Sequence, residues 1–127
     1  MSEDAMSKHM HMLCVEDKEE LRESLKNQFV AEDFDVDTAA DGDIALEMLK
    51  EKVYDIVLLD LKMPRMDGKT VLKEMKNIGR FPHVIMLTGV DDVATAMECV
   101  KLGAEDYITK PYDPDELLHV VIKTLGA

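Results

Sequence analysis

Ile56-Val57-Leu58-Leu59-Asp60 is an unbroken apolar run closed by an acid. No polar residue alternates with the apolar ones, so both faces of the segment call for burial. A short element of this kind fits a parallel strand covered by helices on both sides. Its abrupt end places the carboxylate of Asp60 on the carboxyl edge of whatever sheet the strand joins.

The flanking sequence repeats the same unit. Upstream, the apolar segment Met10 to Val15 stops at Glu16-Asp17, and an amphipathic helix follows between Lys18 and Ala31, with Leu21, Leu25 and Phe29 as its buried stripe. Asp35 to Ala39 reads as a strand and Asp41 to Lys50 as a helix with Ala45, Leu46 and Leu49 inward. Downstream, a helix is expected from Lys69 to Asn77 and a buried strand from Val84 to Leu87, ending at Thr88. The next helix has its apolar residues Val93, Met97 and Val100 on one side, and Gly103 is placed to end it. Tyr107 and Ile108 form a last strand that ends at Lys110. Asp113, Pro114, Asp115 and Glu116 then supply an N-cap, a first-turn proline and first-turn acids for a helix carrying Leu117, Leu118, Val121 and Ile122. Five strand-helix units with short connections predict an α/β fold: an open five-stranded parallel sheet, helices on both faces, right-handed crossovers.

The chain has 127 residues, which suits one domain with a real core. The polar stretch 1–7 reads as a flexible extension, leaving residues 8–127 as the domain. No segment is long and charge-free enough to span a bilayer or act as a secretory signal, so a cytoplasmic location is expected. A net charge of −12, with no concentration of Lys and Arg along the sequence, argues against direct nucleic-acid binding. Cys14 and Cys99 stand far apart without CxxC spacing and read as reduced, packed thiols. His9-x-His11 reads as two side chains on one side of a strand rather than a metal site.

Open parallel sheets bind ligands beyond the carboxyl ends of their strands. Asp17 follows the first strand, Asp60 the third, Thr88 the fourth and Lys110 the fifth, and Glu16 adds a further acid. Crowded carboxylates repel one another, and a divalent cation relieves that conflict. A small set of hard oxygen ligands with open positions suits Mg2+, with Mn2+ as a substitute. Asp60 could then attack phosphorus as a carboxylate nucleophile, with Lys110 balancing charge on the phosphoryl oxygens and Thr88 donating a hydrogen bond to one of them.

The joint pattern resembles the receiver domain of two-component response regulators over nearly all of the chain. The most specific stretch is Asp60-Leu61-Lys62-Met63-Pro64-Arg65-Met66-Asp67-Gly68, reinforced by Glu16-Asp17, Thr88-Gly89 and the run from Gly103 to Tyr112. The resemblance implies the flavodoxin-like sheet order 2-1-3-4-5. It also implies that Asp60 is the phosphoacceptor, served by a sensor histidine kinase or a histidine phosphotransfer protein, and by small donors such as acetyl phosphate. Asp17, Asp60 and the backbone carbonyl of Lys62 would bind Mg2+, with Glu16 holding one of its waters. Thr88 and Tyr107 would form the switch, Lys110-Pro111 would be cis, and a downstream protein or output domain would dock on the fourth helix, fifth strand and fifth helix. Lys62 and Val90 occupy positions that tune acyl-phosphate hydrolysis in this family. Such a protein promotes its own phosphorylation and dephosphorylation and is not a turnover enzyme on an external substrate.

Three other assignments are weighed against this one. A haloacid-dehalogenase-type phosphatase needs Asp-x-Asp, and Lys62 stands at its second acid. A flavodoxin-like cofactor binder needs a Ser/Thr/Gly phosphate cradle where this chain has Glu16-Asp17. A degenerate receiver that binds partners without phosphorylation would not need the set Asp17, Asp60, Thr88 and Lys110, which is intact here. The last residues, Gly126-Ala127, follow the fifth helix directly, and whether the chain is a stand-alone receiver or part of a longer regulator stays open.

Overall fold

The computed structural model describes residues 10–126. The extension expected at 1–7, and His9, lie outside the described residues. Five strands, β1 (His11–Val15), β2 (Asp35–Ala39), β3 (Ile56–Asp60), β4 (His83–Thr88) and β5 (Asp106–Thr109), alternate with α1 (Glu19–Val30), α2 (Gly42–Glu51), α3 (Gly68–Asn77), α4 (Val93–Lys101) and α5 (Pro114–Leu125). A 3-10 turn, Val90–Asp92, precedes α4. Every strand pairing is parallel, and the order is β2-β1-β3-β4-β5, as the resemblance implies. Element ends lie within one or two residues of the expected ones.

The alternation of side chains along β3 builds the two layers of the core. Val57 and Leu59 point to one face, where Leu13, Val15, Val84 and Met86 meet Ala45 and Leu49 of α2, Val71, Leu72 and Met75 of α3, and Cys99 of α4. Ile56 and Leu58 point to the other, where Met12, Cys14, Ile85 and Leu87 meet Leu25 and Phe29 of α1 and Leu117 and Val121 of α5. Phe29 and Phe34 pack edge to face with ring centroids 5.6 Å apart. Each fully buried Leu, Ile or Met contributes about 1.5–3 kcal/mol relative to exposure, so β3, buried along its whole length, is the spine of the domain. The two cysteines are free and buried in opposite layers, and burial pushes the Cys14 thiol up to about 12.

The side of α4 that carries Met97 and Val100 is not its buried one: Met97 is 52 % and Val100 38 % exposed, while Ala96 and Cys99 are fully buried. The helix lies close against the sheet through its small residues, and the larger apolar ones are left at the surface. Hydrophobicity alone could not separate the two stripes, because α4 is apolar on both.

Three helices begin with an aspartate whose carboxylate accepts a backbone N–H: Asp41 from Ile44, Asp67 from Thr70 and Asp113 from Asp115, each at 2.9 Å. Asp92 occupies the same position before α4 but makes no such bond. At Gly68 a Cβ would stand 2.4 Å from the Asp60 carbonyl oxygen and 3.0 Å from Leu61 Cα. Only glycine lets α3 start this close to the end of β3, and the approach is closed by a 2.7 Å hydrogen bond from Gly68 N–H to the Leu61 carbonyl.

Candidate functional site

Strand register decides which side chains meet. Val15 pairs with Leu59, Asp60 with Leu87, and Thr88 with Thr109, so the residues that end β1, β3, β4 and β5 form one rim. Glu16 and Asp17 leave β1 there, and Lys110 leaves β5. One carboxylate oxygen from each of Glu16, Asp17 and Asp60 lies within 4.8 Å of the others.

Lys110 Nζ lies 3.0 Å from Asp60 Oδ1 and 3.1 Å from Glu16 Oε1. Glu16 is fully buried, and its second oxygen accepts the backbone N–H of Lys18 at 3.1 Å. Asp60 is also buried, yet its Oδ2 has no hydrogen-bond partner, and neither has the buried Oδ1 of Asp17. Burial, opposed by the hydrogen bond from Lys110 and assisted by the Glu16 charge, pushes the Asp60 carboxyl up to about 6. Burial pulls the Lys110 ammonium down, but hydrogen bonding and attraction from Asp60 and Glu16 outweigh it, and the net direction is upward. One ammonium thus serves two buried carboxylates and leaves oxygens over.

That leftover set is what a hard divalent cation requires: unpartnered carboxylate oxygens from two residues, converging and half enclosed. Asp17 and Asp60 supply them. Glu16, with both oxygens engaged, is held in place by Lys110 and the Lys18 amide.

Thr88 is buried at the end of β4, where its hydroxyl donates to the Gly89 carbonyl at 3.2 Å. Tyr107 is half-buried against the layer beneath α2, α3 and α4. The Lys110-Pro111 peptide is cis. Glu16, Asp17, Asp60, Thr88 and Lys110 share the rim, while Lys62, expected there only through its backbone carbonyl, turns its side chain outward to Asp92 with Nζ 3.5 Å from Oδ1. His11 takes no part: its Nδ1 stands 3.1 Å from Asp35 Oδ2.

Several contributors carry no sequence signal of their own. Arg22, one turn into α1, donates Nη1 to the carbonyls of Glu16 at 2.9 Å and Asp17 at 3.4 Å, fixing the acidic loop from behind. Arg65 adopts a left-handed backbone, φ 66°, and places Nη2 2.7 Å from Oδ2 of Asp41, tying the loop after β3 to the cap of α2. The hydroxyl of Tyr112 is buried without a partner; burial, then the Glu16 charge, hold it above its ordinary pKa. Basic residues scattered along the sequence are also gathered by the fold: Lys69 and Lys73, one turn apart on α3, and Lys101 of α4 line one groove of about 310 Å³ with Glu98, whose Oε1 is 2.7 Å from Lys69 Nζ. Among the described residues, no helix is long and apolar enough to cross a membrane.

The family model described as response regulator receiver domain matches residues 12–122. The chemotaxis protein CheY of Bacillus subtilis is 36% identical over 116 residues, covering 91% of this chain and 97% of that protein. The transcriptional regulatory protein DltR of Streptococcus agalactiae is 38% identical over 109 residues, covering 86% of this chain. The chain spans 49% of the length of that regulator. Among solved structures, the receiver domain of the Francisella response regulator 1452 superposes with a TM-score of 0.85 at 30% identity, covering 92% of this chain and 97% of that one.

Proposed function

The chain belongs to the response regulator receiver domain family, and from that premise we propose that Asp60 accepts a phosphoryl group from a phosphohistidine on a sensor histidine kinase or histidine phosphotransfer protein. The observation that carries this role is the state of Asp60 itself: buried, half neutralised by Lys110, with Oδ2 left unpartnered beside an unpartnered Asp17 oxygen. A carboxylate serving only stability would have found partners for both oxygens.

Asp17, Asp60 and the backbone carbonyl of Lys62 would hold Mg2+, or Mn2+ in its place, with Glu16 reaching it through a water. It would draw negative charge from the phosphoryl oxygens and hold Asp60 ionised. In the transfer, an oxygen of Asp60 forms a bond to phosphorus as the phosphorus–nitrogen bond of the donor imidazole breaks. The freed imidazole takes its proton from solvent. Lys110, already 3.0 Å from Oδ1, neutralises the oxygens that gain charge.

The switch we assign to Thr88 and Tyr107. With a phosphoryl group on Asp60, the Thr88 hydroxyl exchanges the Gly89 carbonyl for a phosphoryl oxygen, and Tyr107 turns into the space vacated. The surface that reports this is α4, β5 and α5, where Met97, Val100 and Ile122 are exposed apolar residues available to a downstream protein or output domain. The strongly negative chain directs that role toward protein partners rather than nucleic acid. Residues 8–127 act as the receiver unit, an acceptor rather than a turnover enzyme.

Phosphotransfer profiling tests this assignment. Phosphorylated histidine donors are mixed with the protein in Mg2+, with and without chelator. Rapid transfer from one donor, abolished by chelation, is expected; failure of every histidine donor and of acetyl phosphate would contradict it.

A further inference from the structure

Asp17 and Asp60 share the rim but are held there by different means. Asp60 ends β3, a strand buried along its whole length, and its Oδ1 faces Lys110 Nζ at 3.0 Å. Glu16 is fixed at both ends: its N–H donates to the Ala39 carbonyl at 3.1 Å, and its two carboxylate oxygens take Lys110 and the Lys18 amide. Asp17 stands beyond the strand, and its buried Oδ1 has no partner. Among the described residues it makes one hydrogen bond, the one its carbonyl accepts from Arg22 Nη1 at 3.4 Å.

The same Nη1 donates to the Glu16 carbonyl at 2.9 Å. These two carbonyls belong to the peptide units on either side of the Asp17 Cα. Each unit is planar, so fixing both fixes the direction in which the Asp17 side chain leaves the backbone. Arg22 is itself placed by α1, whose first turn closes with its N–H on the Lys18 carbonyl at 2.9 Å.

On the reading that Asp17 and Asp60 hold a divalent cation, we propose that Arg22 is a positioning residue for that site: it presents the Asp17 carboxylate beside Asp60 in advance of the metal. Mg2+ demands near-ideal octahedral geometry, so a ligand on a loosened loop binds it poorly. The guanidinium also carries a positive charge, which by itself repels a cation. The two effects have opposite signs. Removing Arg22 weakens binding if it acts through geometry and tightens binding if it acts through charge.

Calorimetric titration of the unphosphorylated protein with Mg2+ separates them, with urea unfolding in chelator showing that each variant is folded. Arg22→Met keeps the stem and the helix propensity but loses the donors and the charge. Its affinity should fall about tenfold, the low end for loss of a group that orients a metal ligand. Arg22→Lys, which keeps the charge and one reaching donor, should lie between that variant and the wild type. Gln28→Ala is the control on the same helix: it breaks the 2.7 Å bond from Gln28 Nε2 to the Pro114 carbonyl, away from the acidic loop, and should leave the affinity unchanged. Unaltered or tighter binding in Arg22→Met overturns the proposal, as does an equal loss in Gln28→Ala. Should Arg22→Met fail to fold, wild-type affinity in Arg22→Lys overturns it. If the wild type itself takes up no Mg2+, the metal-site reading fails first and this proposal falls with it.

Discussion

Lys110 and Asp60, fifty residues apart in sequence, face each other with Nζ 3.0 Å from Oδ1, and the same ammonium reaches Glu16 Oε1 at 3.1 Å. A single positive charge therefore holds two buried negative ones at the end of the central strands.

Lys110→Ala leaves Glu16 and Asp60 without their cation. Breaking a buried pair costs about 3–5 kcal/mol; Lys110 is only partly buried, so a loss of about 1–3 kcal/mol at pH 7 is expected. Lys110 has its pKa raised by folding, so its contribution is complete below the usual lysine range and is present throughout pH 5–8. The deficit should shrink from pH 7 to pH 5, as Asp60 protonates and the repulsion is relieved. Urea unfolding in chelator at the two pH values measures this. The variant should still bind Mg2+.

Asp60→Asn should stabilise the metal-free protein. The folded-state pKa of about 6 lies above that of the unfolded chain, so the native state binds the extra proton. Stability from this group is present below about pH 4, lost as pH rises through about 6, and absent at pH 7. Removing the charge recovers about 1–3 kcal/mol at pH 7. Thermal unfolding in chelator should show a rise of several degrees, and added Mg2+ should raise the wild type while leaving the variant where it is.

Mg2+ and protons compete for the same oxygens. Apparent affinity, measured by calorimetry, should be flat above pH 7 and fall below pH 6, the slope approaching about tenfold per pH unit. A flat profile down to pH 5 would mean that Asp60 is not among the ligands.

Gly68→Ala forces a Cβ against the Asp60 carbonyl oxygen at 2.4 Å. Overpacking of this kind costs about 1–3 kcal/mol, and here the strain falls on the backbone of the proposed acceptor. Both a lower urea midpoint and slower labelling by acetyl phosphate are expected. Gly79→Ala is the contrasting case: its added Cβ meets nothing within 4 Å, and its cost comes from the positive φ of 76°, which Gly68 does not share.

The sheet was legible because β3 has no polar position to hide: Ile56 to Leu59 admit only a strand covered on both faces, and the breaks at Asp17, Asp60, Thr88 and Lys110 mark its rim. The site was legible for the same reason, since strand ends in a parallel sheet share one edge. What stayed hidden depends on pairs of distant surface loops. Nothing in the residue types matches Lys62 with Asp92, or Arg65 with Asp41, because neither pair follows a period. The buried side of α4 stayed hidden for a different reason: close approach to the sheet favours Ala96 and Cys99 over the larger Met97 and Val100.

The central claim is a mixed anhydride on one side chain, and borohydride trapping tests it most directly. Protein treated with acetyl phosphate and Mg2+ is reduced, digested and mapped by mass spectrometry, since borohydride converts an aspartyl phosphate to homoserine. Homoserine at position 60, absent when the cation is chelated, is the predicted result. Label that resists reduction, or homoserine at Asp17 or another acid in place of Asp60, would contradict the account.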